Sequence, residues 1–166
     1  MDSTKNHKKI SENEGRKMPP AQAIVSSIYG AKDSLIFLRE LQSDWEDARE
    51  LNIDGSLIRR HQRIVADAFT MYIRSIFDST KGTHSLVKSY MPHQFIRDFH
   101  EKDIVKKCIL HANNRFGHQH KNYGFVVSLD LILSSEIEAW LNDAHYAVAT
   151  GKLSENGKNV SINKKK

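Results

Sequence analysis

Ser56-Leu-Ile-Arg-Arg-His-Gln-Arg-Ile-Val-Ala-Asp-Ala-Phe-Thr-Met-Tyr-Ile-Arg-Ser-Ile-Phe77 is the stretch that decides the fold. Its apolar residues, Ile58, Ile64, Val65, Ala68, Phe69, Tyr72, Ile73 and Ile76, recur at three- and four-residue spacing, which is the period of a helix that buries one face. A half-buried strand would alternate instead. Asn52-Ile-Asp-Gly55 before it is turn chemistry, and Asp78-Ser-Thr-Lys-Gly-Thr-His84 after it reads as a loop. The stretch is therefore predicted to be a single helix of about 20 residues running to Phe77.

Working outward, the same period runs upstream through Ile24, Val25, Ile28, Leu35, Ile36, Leu38 and Leu41, entered by Pro19-Pro20 and ending near Asn52. Gly30 and Asp33 leave open whether this is one long helix or two pieces. Downstream, Leu86–Tyr90 and Pro92–Phe99 read as short helical pieces broken at Pro92, and Asp103–Ala112 carries Ile104, Val105, Cys108 and Ile109 at helical spacing. The apolar run Phe125–Leu133 fits either a strand or a buried helix. A capping pattern of Ser134 or Ser135 with Glu138 opens a last helix, with Ile137, Trp140, Leu141 and Ala144, that runs to about Ala149 and stops at Gly151. The fold class expected is all-α, an antiparallel bundle of four to five main helices. Its domain spans 19–150, between tails at 1–18 and 151–166 whose polar and basic composition predicts disorder.

The formal charge of +5 belongs mostly to those tails. Residues 21–150 hold 15 basic and 16 acidic side chains, so the expected folded body is nearly neutral. Charge alone is weak evidence for a polyanion partner. The polar N-terminus and the absence of a long apolar run argue against a secretory signal or a membrane span, so the protein is expected to be cytoplasmic with no membrane partner. The lone Cys108 sits at an apolar helical position and reads as core. No glycine-rich phosphate loop, nucleophile elbow, paired-cysteine motif or internal repeat is present, and no cofactor is expected.

The chemistry concentrates in His111-Ala-Asn-Asn-Arg-Phe-Gly-His-Gln-His120, followed by Lys-Asn-Tyr-Gly124, where the helical pattern of Asp103–Ala112 runs out. Three readings stand side by side. In the first, Arg115 and His120 handle a phosphodiester: an imidazole of near-neutral pKa serves as base or acid and a guanidinium gives bidentate phosphate contact. Asn114 and His118 would orient the substrate, Phe116 or Tyr123 would stack on a base, and Arg59, Arg60 and Arg63 would form a basic rim guiding RNA. In the second, the cluster is the polar end of a helix in a non-enzymatic dimerisation or interaction module. In the third, His118 and His120, with His111 or His100, hold a metal, although no clear fourth ligand is in view. Arg63 with Asp67 and Arg74 with Asp78 stand four apart and read as ion pairs at a helix surface or between helices, and Trp45 and Trp140 as core or interface anchors.

The helical layout, the long helices carrying Arg63-Ile-Val-Ala-Asp67 and Tyr72-Ile-Arg-Ser-Ile-Phe-Asp78, and the late Asn113-Asn-Arg-Phe-Gly-His-Gln-His120 resemble the HEPN superfamily, in particular its abortive-infection-type branch. That resemblance spans residues 21 to 150 and rests on the family's motif of an arginine, four to six intervening residues and a histidine, here Arg115 and His120. It implies an all-α bundle, a homodimer with the two motifs facing each other, and a metal-independent endoribonuclease that works through the ribose 2′-OH. A role in phage defence or a toxin–antitoxin or stress system, with an antitoxin protein as partner, goes with it. The position after the motif arginine, usually polar in active members, is Phe116 here, so RNA binding without cleavage stays open.

Overall fold

A 31-residue amphipathic run without a breaker other than glycine forms one continuous helix, and the chain folds back along it. The computed structural model describes residues 20–78, 80, 83, 85–86, 94–117, 127–150, 152–155 and 158–161. Its helices are α1 (Pro20–Glu50), α2 (Ser56–Phe77), α3 (Gln94–His100), α4 (Asp103–Ala112), α5 (Leu129–Ile132) and α6 (Ser135–Thr150); a π-helical turn, Asn113–Gly117, continues α4. The all-α bundle expected from the periodicity is what forms, with α1, α2, α4 and α6 as its long members.

Of the two forms left open for the first helical segment, the single helix is correct. Gly30 lies mid-helix because a Cβ there would run into the Tyr72 ring, so its role is close approach between α1 and α2 and not a kink. The turn into α2 contains Asn52 at φ 55, in the left-handed region that asparagine tolerates. Asp54 then accepts bonds from the Ser56 backbone N–H at 2.9 Å and its hydroxyl at 3.2 Å, which fixes the start of α2. Gly55 is buried, and a Cβ there would meet the Trp45 indole.

Three sets of contacts run in opposite directions along paired helices. Leu41 meets Gln62 at one end of α1 and α2, and Gly30 meets Tyr72 at the other. Asp67 meets His111, while Phe77 meets His100 and Phe99, which places α3 and α4 antiparallel to α2. Arg39 meets Glu138 and Tyr29 meets His145, so α6 runs antiparallel along α1. The core between them comprises Ile24, Ile28, Leu35 and Leu38 of α1, Phe69, Ile73 and Ile76 of α2, Val105 and Cys108 of α4, and Ile137, Leu141 and Ala144 of α6. Trp140 is a core anchor, stacked on Phe99 at 3.8 Å between ring centroids and 9° between planes.

The ambiguous run before α6 contains one helical turn, α5, at Leu129–Ile132, entered through an extended Ser128 that caps it, its hydroxyl accepting from the Leu131 N–H at 3.3 Å. The C-terminal segment expected as a disordered basic tail instead contains an antiparallel ribbon, β1 (Lys152–Glu155) and β2 (Lys158–Ser161), in a register that pairs Glu155 with Lys158. The two residues between them are Asn156-Gly157, the strongest short hairpin signal a sequence carries. The expected tail at 1–18 lies outside the described residues. Among the described residues no helix is long and apolar enough to cross a membrane.

Candidate functional site

Asp67 is the only acidic residue in α2, a helix that carries four arginines. Its partner is not Arg63 one turn away. The carboxylate turns instead toward α4 and the π turn, where Oδ1 lies 2.9 Å from His111 Nε2 and Oδ2 lies 2.6 Å from Arg115 Nε. His111 and Arg115 are four residues apart, so the helical path places them on one face, from which both reach the same carboxylate. Both partners are therefore drawn from the segment singled out by its histidines.

The burial of this triad is graded. The Asp67 and His111 side chains are 12% and 4% exposed, and that of Arg115 is 36% exposed. A buried carboxylate is costly unless it is paired and hydrogen-bonded, and here each oxygen has a cationic or N–H partner. The Val127 backbone N–H donates to His111 Nδ1 at 3.3 Å, so the ring proton sits on Nε2 and is donated to Asp67. Both imidazole nitrogens are thereby used within the protein. His111 ties α2, α4 and the strand-like entry to α5 together, and it offers neither a proton-transfer atom nor a metal-ligating lone pair to a ligand.

The triad lies beside a cleft of about 390 Å³ between α2 and the 127–132 segment. Asp67, His111 and Thr70 line its polar part, Ala66, Val127, Leu129 and Ile132 its apolar part, and Arg59 and Arg63 stand at its edge with Gln62. These groups are held in place. Arg59 stacks 3.9 Å from the Trp45 ring centroid and donates to Gln62 Oε1 at 3.3 Å; Gln62 Nε2 donates to the Leu41 carbonyl at 3.2 Å and to Gln42 Oε1 at 3.0 Å. The Thr70 hydroxyl donates to the Asp67 carbonyl at 2.8 Å.

The nine residues anticipated for the site divide accordingly. Arg115 is tethered to Asp67, and Asn114 is half-buried in the π turn beside it. Arg59 and Arg63 border the cleft, whereas Arg60, exposed on α2, does not line it. His118, His120 and Tyr123 lie outside the described residues, as does the Phe116 side chain. His100, the other candidate third metal ligand, has Nδ1 3.5 Å from Glu101 Oε1 and its ring against Phe77. Among the described residues no three histidine, cysteine or carboxylate side chains converge on a common point.

Sequence reasoning missed Asp67 and the inward role of His111. One signal was available: a sole acid, flanked by Ala66, Ala68 and Phe69 in mid-helix, stands where an acid is tolerated only with partners. A scan against protein-family models, a search of curated proteins and a search of solved structures each found no match to this chain.

Proposed function

We propose that the protein is an RNA-binding, HEPN-like endoribonuclease that cuts without a metal. Arg115 is the phosphate clamp and His120 the group that moves a proton. The observation that carries this reading is the Asp67–Arg115 ion pair at the side of a cleft bordered by Arg59 and Arg63. An ion pair through Nε sets the plane of a guanidinium, and a positioned guanidinium stabilises charge developing on phosphorus better than a mobile one. In the reaction, the ribose 2′-oxygen attacks phosphorus, the P–O5′ bond breaks, a base takes the 2′-OH proton and an acid protonates O5′. The products are a 2′,3′-cyclic phosphate and a free 5′-hydroxyl. Two copies of His120, one from each subunit of a homodimer, would supply base and acid. A cytoplasmic toxin–antitoxin, stress or phage-defence system, with an antitoxin as partner, is the setting proposed with it.

The test is cleavage of single-stranded RNA in the presence of chelator by the wild type and by His120→Ala. Loss of cleavage in the variant is expected; equal degradation by the two would remove the nuclease reading.

A second reading, the dimerisation module without catalysis, has its own observation. Phe37 and Ile64, each about half exposed, line with Gly30, Ala68 and Tyr72 a groove of about 360 Å³ on the α1–α2 hairpin. Leu57 lies further along α2, and Leu51 and Ile53 lie in the turn, all three well exposed. Monomers seldom leave so much apolar surface on one hairpin. Sedimentation of wild type against Ile64→Glu separates the readings when paired with the RNA assay: a dimer without cleavage favours the module.

A further inference from the structure

We propose that the cleft between α2 and the 127–132 segment is a nucleotide subsite, seating one nucleobase against its apolar wall and the adjoining phosphate at Arg59 and Arg63. This rests on the RNA reading above and adds to it a place on the protein for a particular part of the strand.

Charge comes first. Arg59 and Arg63 line the cleft and Arg115 pairs with Asp67, the one acidic residue of its lining, while His111 donates its Nε2 proton to that carboxylate. The site thus has an excess of positive charge and selects an anion. Yet phosphate by itself would leave most of the cleft unused. Ala66, Val127, Leu129 and Ile132 form a wall that a flat, weakly polar ring covers well, and about 390 Å³ falls in the range of roughly 300–1,000 Å³ typical of small-molecule sites. The ligand must therefore join an apolar plane to an anion.

Polar groups decide between a nucleotide and an anion with an aliphatic body. The lining is interrupted by Asp67 and Ser128, whose oxygens keep hydrogen-bonding capacity that a hydrocarbon chain would leave unused. A nucleobase has ring N–H and carbonyl groups on its edge, and each Asp67 oxygen, although engaged once, has a second lone pair with which to accept. Preorganisation completes the case. Arg59 is pinned on the Trp45 indole, and Gln62 and Thr70 are satisfied by backbone and side-chain partners, so ligand binding has little side-chain order left to impose.

The experiment is calorimetric titration of the full chain with the four nucleoside 5′-monophosphates, the matching nucleosides and inorganic phosphate. It is repeated with Arg63→Glu, with Ala66→Phe, which fills the cleft, and with Lys32→Glu, an equal charge change toward the other end of α1, beside Tyr29. At least one monophosphate is expected to bind about tenfold or more tightly than its nucleoside or than phosphate. Arg63→Glu and a folded Ala66→Phe should each weaken it by about tenfold, and Lys32→Glu should leave it unchanged. If Ala66→Phe loses its helical circular dichroism, Arg63→Glu alone decides. No monophosphate binding, equal binding of free phosphate, or binding indifferent to Arg63→Glu would each overturn the subsite. Cleavage by wild type with His120→Ala inactive would leave the nuclease reading standing even so. Monophosphate binding without cleavage would retain the subsite and remove the catalysis.

Discussion

At the scale of single residues, Asp67 links the bundle to the motif. Removing it by Asp67→Ala leaves a buried His111 N–H without this acceptor and breaks the ion pair to Arg115, and the expected loss is about 2–4 kcal/mol. Asp67→Asn keeps an acceptor but not the charge, so about 1–2 kcal/mol is expected. Urea unfolding of the three proteins measures both, and equal stability of all three would show that the ion pair contributes nothing. Cys108 makes a separate prediction. Burial pushes its thiol from 9.0 up to about 12, so native protein should not react with a thiol reagent at pH 8, whereas urea-unfolded protein should. The sign of the linkage follows: the unfolded chain ionises first, so the stability held by the neutral thiol is whole below about pH 9 and declines as pH rises toward 12. A rise in stability over that window would contradict it.

At the scale of elements, the periodicity of Ser56–Phe77 and of the α1 stretch read directly into helices, because one buried face repeats every three or four residues. The end of α4 was legible for the same reason. Ile109 is the last of the apolar set, and the amides of Asn113 and Asn114 follow where the helix widens into a π turn, a local change often associated with functional positions. Asp67's partners were not legible, since an acid four residues from Arg63 satisfies a local rule while His111, 44 residues away, is reached only through tertiary packing. The C-terminal ribbon was missed for the opposite reason: lysine-rich composition outweighed Asn156-Gly157, a local signal that was in plain view. The junction of α2, α3 and α6 is an aromatic one, Phe77 lying 6.2 Å from Phe99 and 5.5 Å from Trp140. Trp140→Ala opens it, and about 3–5 kcal/mol is expected by chemical denaturation. A loss below 1 kcal/mol would mean that the junction repacks. The Arg39–Glu138 pair, which bridges α1 and α6, is more than a third exposed on both sides and is worth little beside it.

At the scale of the whole molecule, the two surfaces of interest lie on different sides of α2. Arg59, Ala66 and Thr70 line the cleft, whereas Leu57, Ile64, Ala68 and Tyr72 fall on the opposite side by helical phase. A copy packed on the apolar groove, as in the module reading, therefore leaves the two clefts facing apart, whereas catalysis shared by two His120 residues needs a dimer formed on the Arg115 side. Net charge gave no guide to this arrangement, since the body is nearly neutral and its cationic groups matter through their placement, Arg59 and Arg63 on the cleft and Arg115 on Asp67. The most direct measurement is the cleavage of end-labelled single-stranded RNA in chelator by the wild type, Arg115→Ala and Asp67→Asn, with the product ends identified. Expected are 2′,3′-cyclic phosphate ends from the wild type, a rate lower by about 100-fold or more in Arg115→Ala, and an intermediate loss in folded Asp67→Asn. Cleavage at equal rates by wild type and Arg115→Ala, or none by any of the three, would contradict the assignment of Arg115 as the clamp of a ribonuclease.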